Sequence, residues 1–549
     1  MFRTISYLVC FVSLFQRISF PQTSDYFQQA VNSVQVQNIK RHLQFLASDI
    51  FEGRAVGTTG GNLAAKYLGI EFSKIGLIPI GDENTFYQYV PMHGSKALSS
   101  SKMIIHSADE EIQLNLNDDY FLYRTGQQTY IPIPLELVFV GYGINAPEFD
   151  YNDYQSVDVE GKVVVYISGE PQSDNPEFFD GNNPTVYSYP TSKAKIAVSR
   201  GAAGSILIPV SENFNWEKQK LEFSFEDVTL AYSPSNNLSV LLNPNTADLL
   251  FEGTGYSFEE VLEMNNQKRL KSFPLERQLS FKGEFLQRDF LSPNIIGMVE
   301  GSDEALKESY VIVSAHYDHL GIGIPFGNDS IYNGALDNAI GVSVLLDLAN
   351  TFVQLENAPK RSIIFIALTG EEKGLLGSTY YTDHPLVPLY KTVANINIDG
   401  IALFRDFKSI VGIGSELSTL SNYLNAAAAN FSLQVEDIPP QFKQFEAFNR
   451  SDQIAFASAG IPSMLVLEGI KNKNYSEEEV LNAFIDYMIN RYHTPIDDLN
   501  QNIDYTAAAQ HAQLLFYLCY SIANSESIPD WYVDTPYVNA RLRSIAERK

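Results

Sequence analysis

At 549 residues the chain is too long for one ordinary hydrophobic core, so two or three domains are expected. An apolar fraction of 45% with a charged fraction of 19% reads as soluble and globular. The net charge of −27 argues against nucleic acid as a partner, because phosphate binding rests on Lys and Arg.

The chain opens with Arg3 and a short apolar segment from Ile5 to Phe15, which resembles a secretory signal peptide over residues 1–21. A span needs about 20 apolar residues, so no stable membrane anchor is expected there. The alternative is an N-terminal strand, and no small-x-small cleavage site is clear before Gln22. Export would make the protein secreted or periplasmic. Cys10 would leave with the signal, and Cys519, within LLFYLCYS, is then expected to be a buried core thiol without a disulfide partner.

Ile39, Leu43, Leu46 and Ile50 recur at helical spacing. FEGRAVGTTGG follows, too rich in Gly for regular structure; its GTTGG lacks the lysine-bearing loop pattern of a phosphate site and reads as a turn. A second helix pattern through Ala64, Leu68, Phe72 and Ile75 stops at Gly76. Polar text from about Pro91 to Tyr130 suggests a boundary. The strand candidates LELVFVGYG, GKVVVYISG, GSILIPV and LSVLLN then alternate with turns, around one helix pattern from Lys193 to Arg200. This order predicts a β-rich unit, residues 129–290, inserted into a core made of residues 22–128 and 291–528, with residues 529–549 as a C-terminal tail on the surface.

From Asn294 onward strands and helices alternate. VIVSAHYDH ends in His316 and Asp318; GALDNAIGVSVLLDLA places Asp337 at the mouth of an apolar helix. SIIFIALTGEE delivers Glu371 and Glu372, and VANINIDG delivers Asp399. These runs are nearly continuous in Val, Ile and Leu, which suits strands of a parallel sheet buried on both faces. Ligands bind such a sheet outside the carboxyl ends of its strands, where all of these polar groups would sit. SMLVLEG reads as a further buried strand. Ser476 and Glu479 form a capping-box signature ahead of Val480, Phe484 and Met488, leading into the loop YHTPIDDL with His493.

His316, Asp337, Glu372, Asp399 and His493 together offer two imidazoles and three carboxylates, a nitrogen and oxygen set that suits Zn²⁺. A catalytic zinc usually takes three protein ligands, so five donors suggest two Zn²⁺ ions with one carboxylate bridging. Three clustered carboxylates without a cation would repel one another. Glu371 cannot easily ligate beside Glu372, since adjacent side chains diverge, and is left as a general base for metal-activated water. Asp318 is placed to hold the His316 imidazole. Each residue alone has a plainer reading: Asp337 as a helix cap, His493 as a loop residue. His319, His384 and His511 lack such company and are assigned structural or surface roles.

In order, SAHYDHLG, GALDNAIG, LTGEEKGLLGS, NINIDG and YHTPIDDL resemble metallopeptidase family twenty-eight, the bacterial leucyl aminopeptidase and glutamate carboxypeptidase group. FEGRAVGTTGG resembles the start of these enzymes, and VFVGYGI, GKVVV and SRGAAGSIL resemble their protease-associated domain. The resemblance implies an α/β fold: a three-layer zinc-exopeptidase core with a mostly parallel mixed sheet flanked by helices, plus the inserted β-rich protease-associated domain. It implies that His316 and Asp399 hold one zinc, Glu372 and His493 the other, and Asp337 both, with a cis bond between Asp337 and Asn338. Glu371 would move the proton. Peptides are the implied substrates and an aminopeptidase the leading expectation.

A glutamate-carboxypeptidase-like hydrolase would need cations for the substrate's carboxylates. The strand Pro462 to Glu468 carries none, although Arg405, Lys443 or Arg450 could serve. A non-catalytic receptor-like protein would be expected to have lost the donors, and a single-zinc glutaminyl cyclase to lack the insertion. Phe445, Phe448 and Phe456 are pocket candidates, though aromatic side chains at such spacings more often pack in a core. Where relatives often show Ser-Asp-His, this chain has Ser451, Asp452 and Gln453. The oligomeric state is not encoded in any pattern found.

Overall fold

The computed structural model describes residues 31–123, 130–181, 184–211, 214–232, 237–400, 403–439, 442 and 447–548. The expected signal segment with Cys10, and the candidates Lys443 and Phe445, lie outside these residues.

The core is built on a mixed sheet whose main strands are β1 (Tyr87–Ala97), β2 (Phe285–Val299), β3 (Tyr310–His316), β4 (Ser362–Leu368), β5 (Thr392–Asn397) and β6 (Ser463–Glu468). Their spatial order is β1-β2-β4-β3-β5-β6, with Asp227–Leu230 beyond β1 and Ser409–Ile413 then Gln434–Glu436 beyond β6. The pairs β4-β3, β3-β5 and β5-β6 are parallel, whereas β1-β2 and β2-β4 are antiparallel. The parallel part therefore occupies the centre, and its strands all end at one edge.

The unbroken apolar runs have a geometric cause. Successive side chains of a strand point to opposite faces. Val311, Val313 and Ala315, with Ile363, Phe365 and Ala367, pack into one large core under helices. Ile312, Ile364, Ile366 and Leu368 face a second core closed by Tyr381 and Phe456 from helices Leu376–Asp383 and Gln453–Ser458. Both faces being covered, both sets of alternating positions are mainly apolar, and the buried Ser314, Asn395 and Asn397 bond to one another. The larger core is roofed by α1 (Val36–Leu46), α2 (Thr59–Ile75), α3 (Ile340–Val353) and α5 (Tyr505–Asn524), while α4 (Glu477–Asp486) starts in the expected Ser476/Glu479 capping box. Helix and sheet layers thus form the three-layer α/β core.

Among the described residues, one helical stretch, Ala335–Val353, is long and apolar enough to cross a membrane, but 89% of that window is buried inside the protein, as befits a core helix. Helix α1 ends at Leu46, so Ile50 falls outside it and is 63% exposed. The GTTGG stretch is a turn only at Gly57. Thr58 caps α2 and Gly60 and Gly61 form its first turn, because a Cβ on Gly60 would meet the Phe51 carbonyl at 1.8 Å. Gly76 ends α2 in the left-handed region at φ 92°, as its position suggested. A second sheet of eight strands, drawn from residues between Lys102 and Lys282, packs around its own apolar cluster. Near the C-terminus Trp531 is buried and a helix forms over Val538–Ala546, where the sequence suggests only polar tail.

Candidate metal centre

The carboxyl edge of the parallel strands gathers the chemistry. His316 is the last residue of β3, Glu371 and Glu372 follow β4, and Asp399 follows β5. Asp337 lies in the irregular turn ahead of α3, and His493 follows α4 with φ 58°. All five donor residues come together. His316 Nε2 lies 3.2 Å from Asp399 Oδ1 and 3.3 Å from Asp337 Oδ1. His493 Nε2 lies 3.0 Å from Glu372 Oε2 and 3.4 Å from Asp337 Oδ2. Each imidazole is thus paired with a carboxylate of its own, and both face opposite oxygens of Asp337.

The supports are backbone contacts. The Asp337–Asn338 peptide is cis. Asp497 accepts the Leu336 and Asp337 N–H groups at 2.9 and 3.0 Å, and Asn338 donates to the Ile398 carbonyl at 2.7 Å, joining this turn to the Asp399 loop. Asp318 acts differently from expectation: its carbonyl faces His316 Nδ1 at 3.2 Å, while its carboxylate lies 4.0 Å from that nitrogen. The carboxylate instead accepts the Glu371 and Glu372 N–H groups at 3.1 and 3.4 Å. Arg54, from the FEGR segment, is 1% exposed and donates to the carbonyls of Leu46, Tyr317, Asn333 and Gly334 at 2.6–2.8 Å, tying together the loops after His316 and before Asp337.

His319 corrects the sequence reading. It is fully buried, and its Nδ1 lies 2.5 Å from Glu372 Oε1, on the far side of that carboxylate from His493. The other two histidines behave as expected: His384 is exposed and stacks on Tyr380, and His511 is buried in α5 near Glu468. Gln453 is buried too, accepting from Asn397 and donating to the Phe448 carbonyl. Asp452 accepts a bond of 2.6 Å from Ser378, and burial raises its pKa to about 7. Phe456 is wholly buried in the core behind the sheet and cannot line a pocket. Arg450 is exposed, and Arg405 is exposed beside Asp504.

The electrostatics describe a site short of positive charge. Burial, then the neighbouring carboxylates Asp399, Glu372 and Asp452, push Glu371 well above the usual carboxylate range against the pull of His316. Burial and Glu372 also oppose ionisation of Asp337, but the imidazoles of His316 and His493 outweigh them and hold it low. Burial alone would lower His493, yet Glu372 and Asp337 raise it to about 10. The two imidazoles are the only groups of this donor set that can carry positive charge, and among the described residues His319 Nε2 is buried without a hydrogen-bond partner. Donor atoms of His316, Asp337 and Asp399, of His319, Asp337 and Glu372, and of His316, Glu371 and Glu372 lie within 4.8 Å of one another in each group, so the adjacent carboxylates of Glu371 and Glu372 converge rather than diverge as expected. Nitrogen and oxygen donors so crowded fit divalent cations of the zinc type.

Residues 294–519, which contain every donor, match the profile of Peptidase family M28. The aminopeptidase YwaD of Bacillus subtilis (strain 168) is 29% identical over 240 residues, 43% of this chain and 46% of that protein. The aminopeptidase NAALADL1 of Mus musculus is 36% identical over 120 residues, 21% of this chain and 14% of that protein. The chain thus spans less than half the length of these curated relatives. A solved structure titled as an aminopeptidase from Aneurinibacillus sp. strain AM-1 superposes with a TM-score of 0.55 at 18% identity, covering 92% of this chain and 98% of that one, and shares its fold. Over residues 294–519 the chain is therefore similar to Peptidase family M28.

Proposed function

We propose that the protein is a co-catalytic di-zinc exopeptidase that releases N-terminal residues from peptides. The observation that carries this reading is the division of the donors into His316 with Asp399 and His493 with Glu372, with Asp337 turned to both. His316 and Asp399 would hold one ion, His493 and Glu372 the other, and Asp337 would bridge. Zinc, when bound, supplies Lewis-acid polarisation of the scissile carbonyl and of the attacking water.

The remaining work falls to the chain. Glu371 is not needed as a donor, and Asp318 fixes its backbone beside the cluster. It takes the proton of the attacking water and returns it to the leaving amine. That role needs the ionised form, which burial opposes and nearby dications favour. His319 positions Glu372 by occupying Oε1, so that Oε2 is the oxygen presented beside His493. The aminopeptidase relatives support action at a free amino end. We further read the unit carrying the second sheet as a protease-associated domain, and the protein as exported, secreted or periplasmic.

A panel of N-terminally free and blocked aminoacyl amides, assayed with zinc and after chelation, tests this. Free substrates should turn over only with metal, and blocked ones not at all. Equal cleavage of blocked amides, or turnover that survives chelation, would overturn the proposal.

A further inference from the structure

A cavity of about 970 Å³ reaches Glu372, one of the five donors, and is walled by residues of both sheets. Glu372, Lys373 and Gly374 line it, as do Ile322 to Pro325 of the hairpin that follows His319. Phe121, Phe223 and Phe225 stand in the remaining wall, beside charged groups such as Lys96, Glu226 and Asp227. Phe121 stacks on Trp216 at 4.3 Å and on Phe223 at 4.8 Å between ring centres. Phe225 packs edge-on against Tyr332 at 4.9 Å, and the Lys373 ammonium lies 5.4 Å from its ring centre. Rings already packed on one another have little rotamer freedom left to lose, so they form a prepared apolar surface.

The volume is near the upper end of what a whole small ligand fills, roughly 300–1,000 Å³. A single amino-acid residue would leave most of it empty. An aminopeptidase keeps only one residue on the amino side of the scissile bond, so several residues can come only from the leaving side. We infer that this cavity binds the residues that follow the scissile bond and selects peptides with a bulky apolar or aromatic residue directly after it. The inference rests on the aminopeptidase reading, and gives the second sheet a part in substrate choice.

The test is kcat/KM for leucyl dipeptide amides, Leu-Gly-amide against Leu-Phe-amide, with zinc. Burying a Phe side chain should favour Leu-Phe-amide by about tenfold or more in the wild-type protein. In F223A and F225A that ratio should fall below about threefold, and F223L and F225L should keep an intermediate ratio. Should the alanine variants not fold, the leucine variants decide: in F223L and F225L the ratio should fall below the wild-type value, and an unchanged ratio would overturn the inference. Cleavage of both dipeptide amides at a ratio near one would overturn this inference and leave the aminopeptidase reading standing. A preference for Phe unchanged in F223A and F225A would also overturn it. No cleavage of any free aminoacyl substrate would remove both.

Discussion

Arg54→Met is expected to loosen the metal centre from below. The guanidinium is 1% exposed and makes four hydrogen bonds, to Leu46, Tyr317, Asn333 and Gly334 carbonyls, at 2.6–2.8 Å. Bonds to a charged group are each worth about 1.5–3 kcal/mol, and a buried acceptor left unpaired costs about 1–3 kcal/mol. The four share one donor group and their energies do not add, so a loss of about 5 kcal/mol is a reasonable figure. That is a large share of a stability of roughly 5–15 kcal/mol. Burial lowers the guanidinium's pKa to about 10, but Asp497, Asp318, Asp337 and Glu372 all favour its charge, so it stays a cation at neutral pH. Urea unfolding followed by tryptophan fluorescence would measure the loss, with Trp531 reporting on the core. Arg54→Lys should recover less than half, because one ammonium cannot reach carbonyls on three separate segments. A Met variant within about 1 kcal/mol of wild type would refute the claim that this side chain holds the site loops together.

Other expectations follow from single contacts. Glu371→Gln should lower turnover by about 10²–10⁴-fold while metal content stays unchanged; wild-type turnover would remove Glu371 as the base. His319→Ala should weaken zinc affinity by about 10–100-fold, seen by competition with a chromogenic chelator, whereas unchanged affinity would leave Glu372 positioned without it. Asp347, 1% exposed on α3, accepts from Gln35 and Asn38, and burial raises its pKa from 3.8 to about 6. A raised carboxyl binds more protons folded than unfolded, so its contribution is full below pH 4 and is lost as pH rises to about 6. The ionised form then costs about 3 kcal/mol, so thermal unfolding should show Asp347→Asn gaining on wild type by this amount between pH 4 and pH 7.5. A difference that does not vary with pH would contradict it.

What the sequence revealed followed from periodicity and from motif position. The runs Val311–Ala315 and Ile363–Leu368 were legible as buried strands because both their faces meet apolar cores. The five donors were legible because each ends, follows or, for Asp337, precedes a recognisable element. Residues that act through backbone groups were not. The partners of Arg54 are carbonyls, which no side-chain pattern announces, and Asp497 orients Asp337 through two N–H groups 160 and 161 residues away. His319 looked idle because its partner Glu372 stands 53 residues further on. Gly60 and Gly61 read as a turn by composition, yet they start a helix because only a missing Cβ lets α2 approach the Phe51 and Ala55 carbonyls.

The proposed chemistry needs five side chains to hold a pair of ions. Zinc titration of the chelator-treated protein, read by calorimetry and by metal analysis after dialysis, measures this directly. Two ions per chain are predicted, falling to one in His316→Ala and in His493→Ala. No bound zinc in the wild-type protein, or two ions retained in both variants, would contradict the assignment of these donors.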